Sequence, residues 1–288
     1  MDIRPYETDE ISPKDNISVT FLYNSLPGRI LLRMLIKPPV SGFFGFLMSR
    51  SVSRFFIRGF VNRNKIDMEE YKAVKYKSFN DFFTREIKNE VRFFPDNTYD
   101  VVAPCDGRLT AYQITDDSVF YIKNSVYDID GLLQDKTLAS EFINGICLIF
   151  RLTPTDYHRY TYIDDGEILF CKRIKGVLHT VRPISQRQYN IYTQNSREYT
   201  VMQTKNFGKV IQIEVGALFV GRITNYMTRG SFKRGDEKGM FEFGGSTIVM
   251  LFQKDAISIN KSICENTQQN KETIVKMGNK IGEKILCE

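Results

Sequence analysis

Three kinds of side chain in this 288-residue chain could carry proton transfer or nucleophilic attack, and each is scarce or set in a turn-prone context. There are only two histidines, His158 and His179, so an imidazole base working near neutral pH must be one of them. His158 stands in Thr153-Pro154-Thr155-Asp156-Tyr157-His158-Arg159-Tyr160, directly after the apolar run Cys147–Leu152. Polar residues at the end of a buried strand are well placed to reach a cleft. Asp106 lies in Ala103-Pro104-Cys105-Asp106-Gly107, a turn opened by proline and closed by glycine. Asp before Gly is an ordinary turn pair, yet a turn-held carboxylate can also orient and stabilise an imidazolium. Ser246, in Phe241-Glu242-Phe243-Gly244-Gly245-Ser246-Thr247, is the candidate nucleophile. The two glycines before it permit backbone conformations that other residues resist. A β-bulge or a hairpin end accounts for Gly244-Gly245 without any chemistry, and the residue pattern alone favours that plainer account.

The elements that must position these residues fall into two textures. Residues 19–66 read as helical pieces punctuated by Leu26-Pro27-Gly28 and Lys37-Pro38-Pro39, because proline restricts itself and the residue before it. Wound at a period of 3.6 residues, Phe44–Val61 gathers Arg50, Arg54 and Arg58 on one stripe, with Met48, Val52, Phe55, Phe56 and Phe60 opposite; Leu47, Ile57 and Val61 fall near the basic stripe, so the segregation is imperfect. Tyr76–Lys88 predicts a short helix capped by Ser78 with its aromatic residues facing inward. Beyond it, short β-branched and aromatic runs alternate with turn residues: Val101–Thr110, Ile146–Leu152, Glu167–Ile174, Arg197–Gln203, Lys209–Glu214, Leu218–Tyr226 and Thr247–Phe252. That spacing predicts antiparallel strands rather than βαβ units. Ile274–Ile281 reads as strand, Gly-Asn turn and strand, so the chain end rejoins the sheet. The expected fold is α+β: an amphipathic helical region, residues 1–90, packed on a mostly antiparallel β core, residues 91–288.

Charge narrows the partners. From Arg29 to Lys65 every charged residue is basic, eight in all, in a chain whose net charge is only +6. A basic, phenylalanine-rich helix suits an anionic membrane surface, its apolar face entering the interface while Arg meets phosphate; the alternative is a core helix with a solvated face. No apolar run approaches the roughly 20 residues of a membrane span, so the expected association is peripheral, at the cytoplasmic face. Five scattered cysteines without a CxxC pair argue against a disulfide framework and against a zinc site. Nucleic acid is not an expected partner, since no recognition module accompanies the basic stretch.

Taken in order, YKSFNDFFTREIK, APCDG, DYHRY, VGALFVGRI and GDEKGMFEFGGST resemble the phosphatidylserine decarboxylases over nearly the whole chain, from FLYNSLPGRILL to the GNKIG element. The Gly-Gly-Ser-Thr block is the most specific of these. The resemblance implies a proenzyme that cleaves itself between Gly245 and Ser246, with His158 and Asp106 assisting the Ser246 hydroxyl. The products are a β chain, 1–245, and an α chain, 246–288, that opens with a pyruvoyl group made from Ser246. That group forms a Schiff base with phosphatidylserine; carbon dioxide leaves and phosphatidylethanolamine results, without PLP and without a metal. The implied assembly is an αβ pair, with a dimer of such pairs as a further option. One position departs from the family pattern: many members carry a second histidine three residues after the one in DYHR, where this chain has Thr161. His179 is then the remaining imidazole that could share the work.

Two readings of other classes compete. A lipid-directed serine hydrolase or acyltransferase would use an intact Ser246 with His158 and Asp106, although the G-x-S-x-G elbow is absent. A non-catalytic peripheral membrane module would bind anionic vesicles and neither cleave itself nor consume lipid.

Overall fold

The computed structural model describes residues 8–10, 17–117, 119–122, 125–181, 190–218, 222–244 and 246–286. Its first part is helical: α1 (Ile17–Asn24), α2 (Leu26–Leu35), α3 (Pro38–Met48), α4 (Phe55–Asn64) and α5 (Phe79–Phe83). The breaks fall where local chemistry puts them. The Ser25 hydroxyl accepts the Gly28 N–H at 3.0 Å and starts α2, while Pro38 and Pro39 open α3. Lys65, at φ 51°, ends α4 in the left-handed conformation. Ser78 accepts the Asp81 N–H at 3.1 Å and caps α5, whose Phe79, Phe82 and Phe83 are buried, as the sequence predicts.

The continuous amphipathic winding expected over residues 44–61 is not formed. A 3-10 turn at Ser51–Arg54 separates α3 from α4. The buried Ser53 hydroxyl is the physical reason: it donates to the Met48 carbonyl at 2.8 Å and accepts the Phe79 N–H at 2.8 Å. The apolar stripe splits in consequence. Met48, Ile57, Phe60 and Val61 pack inward on the phenylalanines of α5, whereas Val52, Phe55 and Phe56 stay exposed. No described helix is long and apolar enough to cross a membrane; α2 and α3 together reach that length but are bent by 73°.

The remaining strands are, in chain order, β1 (Thr8–Glu10), β2 (Asp100–Val102), β3 (Gly107–Gln113), β4 (Val119–Ile122), β5 (Ser125–Asp128), β6 (Ile146–Leu152) and β7 (Arg159–Thr161). There follow β8 (Gly166–Ile174), β9 (Arg197–Thr204), β10 (Lys209–Gly216), β11 (Ile223–Asn225), β12 (Gly230–Phe232) and β13 (Glu237–Phe241). The last are β14 (Ser246–Phe252), β15 (Ile257–Ile259), β16 (Lys271–Val275) and β17 (Lys280–Lys284). Nine of them form one antiparallel sheet in the order β1-β16-β3-β6-β14-β10-β9-β8-β12. Smaller sheets are β11-β13-β7 and β15-β17-β2, with β4 and β5 as a hairpin. At the centre, β14 is buried along its whole length, which matches its unbroken apolar run after Thr247. The class is therefore α+β, as expected. The end of the chain does return: β16 and β17 flank a turn at Gly278 (φ 86°), and β16 pairs with β3. A helix at Lys261–Gln268 interrupts the polar segment before it.

Candidate active site

The two segments that carry the sequence candidates are tied together at both ends. Ser246 opens β14 and lies opposite Leu152, the last residue of β6. From there one segment runs from Leu152 to His158 and the other back from Ser246 to Phe241. They meet again where the Phe241 N–H donates to the His158 carbonyl at 2.9 Å, and β13 then pairs with β7. His158 and Ser246 thus sit on one short closed circuit of backbone between the large sheet and the β11-β13-β7 sheet. Gly244, on that circuit, has φ 140°, a region that disfavours side chains; Gly245 itself lies outside the described residues.

Both reactive atoms are buried and unengaged. His158 and Ser246 are each 0% exposed, and neither the His158 Nε2 nor the Ser246 Oγ has a hydrogen-bond partner among the described residues. The His158 ring is set from two sides. Its Nδ1 lies 2.8 Å from the Asp156 carbonyl, which accepts only if Nδ1 carries the proton, and Phe83 packs on its face at 4.0 Å between centroids. That tautomer leaves Nε2 with a lone pair. Burial, then the charge of Arg85, push the His158 pKa down to about 3, against smaller opposing contributions from the Asp156 hydrogen bond and Asp106. At neutral pH this imidazole is an uncharged base.

Asp106 does not hold the ring. The expectation that it orients the imidazole is corrected by its partners: Arg92 Nη2 at 2.7 Å, Lys276 Nζ at 3.2 Å and the Met277 N–H at 2.8 Å. The reason is the turn itself. The 103–107 turn is laced to the β16–β17 turn, with the Ala103 N–H donating to Asn279 and the Gly278 N–H to Ala103, so the carboxylate points at Met277. Burial alone would raise the Asp106 pKa, but Arg92, Lys276 and the Met277 N–H outweigh it and keep it below the usual carboxylate value. Asp106 acts on His158 through its field.

His179 is placed by Asn195, which accepts the His179 N–H at 3.0 Å and donates to the His179 carbonyl and to the Gly216 carbonyl, both at 2.8 Å. Gly216 is the residue opposite Ser246 on the other flank of β14, so His179 stands one strand away from the nucleophile candidate. Its Nδ1 lies 3.3 Å from the Tyr23 hydroxyl of α1, and burial lowers its pKa to about 4. Thr161, where the second family histidine would stand, donates its N–H and its hydroxyl to the Pro104 carbonyl, at 2.9 and 3.3 Å. It lines a cleft of about 340 Å³ with Lys72, Glu86, Arg92, Tyr157 and Arg159. That cleft is walled by neither His158 nor Ser246. The two histidines therefore lie on different elements, His158 on the circuit that holds Ser246 and His179 next to Gly216, while Thr161 lines the separate cleft.

Sequence reasoning missed several contributors. Phe83, Arg85 and Asp156 surround His158, and their only sequence signal is position: two beside or after a phenylalanine pair, one two residues before the histidine. Since α5 supplies Phe83, the first 90 residues reach the site directly. On the Ser246 face of the large sheet, Glu214 lies two residues before Gly216. There Lys238 Nζ donates to Glu214 Oε1 at 2.8 Å and to Asn225 Oδ1 at 2.7 Å, with both ionic side chains almost wholly buried.

The site thus combines a buried serine, a positive-φ glycine two residues before it and a buried, neutral histidine on the same circuit of backbone. Comparison with known proteins gives the family. The family model described as phosphatidylserine decarboxylase matches residues 79–283. The chain is 48% identical over 271 residues to phosphatidylserine decarboxylase proenzyme 2 of Clostridium acetobutylicum, covering 93% of this chain and 92% of that protein. It is 39% identical to the phosphatidylserine decarboxylase proenzyme of Fusobacterium nucleatum (92% and 90% covered) and 37% identical to that of Clostridium kluyveri (98% and 96%). The chain belongs to the phosphatidylserine decarboxylase family, a family of carboxy-lyases.

Proposed function

We propose that this chain is the precursor of a pyruvoyl-dependent phosphatidylserine decarboxylase and that it cleaves itself between Gly245 and Ser246. The observation that carries the reading is that two reactive atoms on one short circuit of backbone are both buried and without a hydrogen-bond partner among the described residues. A hydroxyl with no exposure can reach the carbonyl before it in the chain, whereas a hydrolase serine must be open to an external ester. In the self-cleavage His158 Nε2 takes the Ser246 hydroxyl proton, and Oγ attacks the Gly245 carbonyl. The amide nitrogen leaves as the new amine and the bond becomes an ester. Loss of the Cα proton then expels the Gly245 carboxylate, leaving a dehydroalanine. Water replaces its nitrogen, ammonia departs, and position 246 ends as pyruvoyl. The residues present fit that group: it replaces a side chain whose oxygen has no competing partner.

When formed, the pyruvoyl carbonyl supplies the electron sink that amino-acid decarboxylation needs. The chain's own residues do the rest. His158, uncharged and oriented by Asp156 and Phe83, holds a proton-accepting atom in the site, and His179 on the far side of β14 is the second imidazole available for proton transfer. Cleavage also frees a chain end beside the site, which provides a way to open a pocket that is closed in the uncleaved chain.

The substrate side follows from the first helices. In this reading residues 1–90 are the membrane-associating region, 91–288 the catalytic domain, and the enzyme docks peripherally on anionic lipid at the cytoplasmic face. All eight basic residues from Arg29 to Lys65 are exposed, and so are Leu26, Ile30, Met34, Phe43, Phe46, Phe55 and Phe56. Exposed aromatic and aliphatic side chains beside unpaired arginines match an interface of acyl chains and phosphates. The test is an intact-mass spectrum of the denatured protein beside Ser246→Ala. Two chains divided before position 246, the smaller one lighter than its sequence by one ammonia, are expected for the wild type and a single full-length mass for the variant. An unbroken wild-type chain that still consumes phosphatidylserine would overturn the proposal.

A further inference from the structure

Arg85 is a buried cation with no acidic partner among the described residues. It is 2% exposed, no carboxylate lies within ion-pair distance, and its Nε has no hydrogen-bond partner. Leaving a guanidinium in such surroundings costs stability, so an arginine kept there calls for a compensating role. What holds it is a set of weak partners. The guanidinium carbon lies 4.2 Å from the Tyr71 ring centroid and 4.9 Å from that of Phe82, and Nη2 donates to the Tyr71 hydroxyl and to the Thr155 carbonyl, both at 3.0 Å.

The Thr155 carbonyl is the one immediately before the Asp156 carbonyl that receives the His158 Nδ1 proton. The bracing runs both ways, because Arg159 Nε donates back to the Thr84 carbonyl at 2.9 Å. The end of α5 and the 155–159 segment are thus clamped on either side of His158, with Phe83 between them on the ring. We propose that Arg85 is a positioning residue for His158: it braces the turn that orders the imidazole and places an uncompensated positive charge beside it. This inference rests on the reading of His158 as the base for self-cleavage. The charge has a chemical purpose there. A second positive charge on the ring is disfavoured beside a guanidinium, so Nε2 stays available as a base even in mildly acid surroundings. Two charged groups act on the ring from the elements around it, Arg85 after α5 and Asp106 from the 103–107 turn, and they act in opposite directions. Burial and Arg85 prevail.

The experiment uses the full-length Ser246→Ala precursor labelled with 15N-histidine, in which only two rings report and His179→Gln identifies the other. With Arg85 present, His158 is expected as the Nδ1–H tautomer, neutral to below pH 5. In Arg85→Met its titration midpoint is expected to rise by about one pH unit or more, and Arg85→Lys should restore most of that shift. Should Arg85→Met fail to fold, Arg85→Gln, which keeps a donor for Thr155, carries the same comparison. An unchanged midpoint and tautomer in the neutral variants would overturn the proposal, and so would a lysine variant that titrates like them. These spectra need no cleavage. A wild-type chain that never cleaves would therefore sink the processing reading, while the ring titration would still decide the role of Arg85.

Discussion

The protein treats its arginines in two opposite ways. On the helices between Arg29 and Lys65 every basic side chain is exposed, and none of them pairs with a carboxylate among the described residues. In the body that holds Ser246, some arginines are exposed, Arg173, Arg222 and Arg229 among them, but others are interior components. Arg92 is shared by Asp106 and Glu70, Arg151 is paired with Glu272, and Arg197 is spent on four backbone carbonyl contacts from Gly131 to Asn195. Phenylalanine divides within the helical part itself: Phe55 is 88% exposed on α4, whereas Phe82 and Phe83 on α5 are fully buried. An exposed, unpaired cation contributes little to folding and remains available for a partner. A buried, hydrogen-bonded one is committed to geometry. The contrast is one of availability: the cations of the helices are free to meet a partner, and those of the body are committed to the fold.

Variants can break that contrast. The largest effect is expected at His158: replacing it by Gln should slow self-cleavage on the order of 100-fold or more, read from the rate at which full-length mass disappears. The same replacement should leave vesicle binding unaltered. Next comes the buried pair beneath Ser246. Lys238→Met strands the Glu214 carboxylate and should cost about 3–5 kcal/mol in a urea titration of the precursor. Arg54→Met and Arg58→Met on the exposed helix should change that titration by less than about 0.5 kcal/mol.

Acid sharpens the same point. The folded-state pKa of His158 lies near 3 and that of His179 near 4, both below the ordinary value of 6.5. Below that ordinary value the unfolded chain binds protons that the folded chain refuses, so stability falls as pH drops. Each ring contributes a slope of roughly 1.4 kcal/mol per pH unit between its unfolded and folded values. His179→Gln should remove about half of the histidine slope above pH 4; an unchanged slope would show that His179 is not buried neutral. The smallest change is expected at the surface. Phe55→Ser should weaken binding to anionic vesicles roughly tenfold and leave the cleavage rate alone. Equal losses in both measurements would mean that the helices and the site are one functional unit.

Much of this was legible in the residues. The α+β class follows from proline-punctuated helical stretches succeeded by β-branched runs, and Ile146–Leu152 forms a strand with the bounds its sequence predicts. His158 and Ser246 stood out by rarity and by the double glycine. The long amphipathic helix did not form, since periodicity counts side chains but cannot see that Ser53 will be claimed by Phe79 from another element. Asp106 was expected to orient the imidazole by contact; its hydrogen bonds go instead to Arg92, Lys276 and Met277, because a turn motif does not say which way its carboxylate points.

The sequence by itself determined which atoms could react: one Ser-hydroxyl after two glycines, two imidazoles, and a run of cations with no acids between Arg29 and Lys65. Covalent chemistry and short-range propensity are properties of a few neighbouring residues, so they can be read locally. Tertiary structure alone decided what state those atoms are in. The His158 charge depends first on burial and then on Arg85, 73 residues earlier in the chain, and the Asp106 partners Lys276 and Met277 lie 170 and 171 residues away. Burial and electric field are sums over everything nearby in space, and that neighbourhood exists only once the chain has folded.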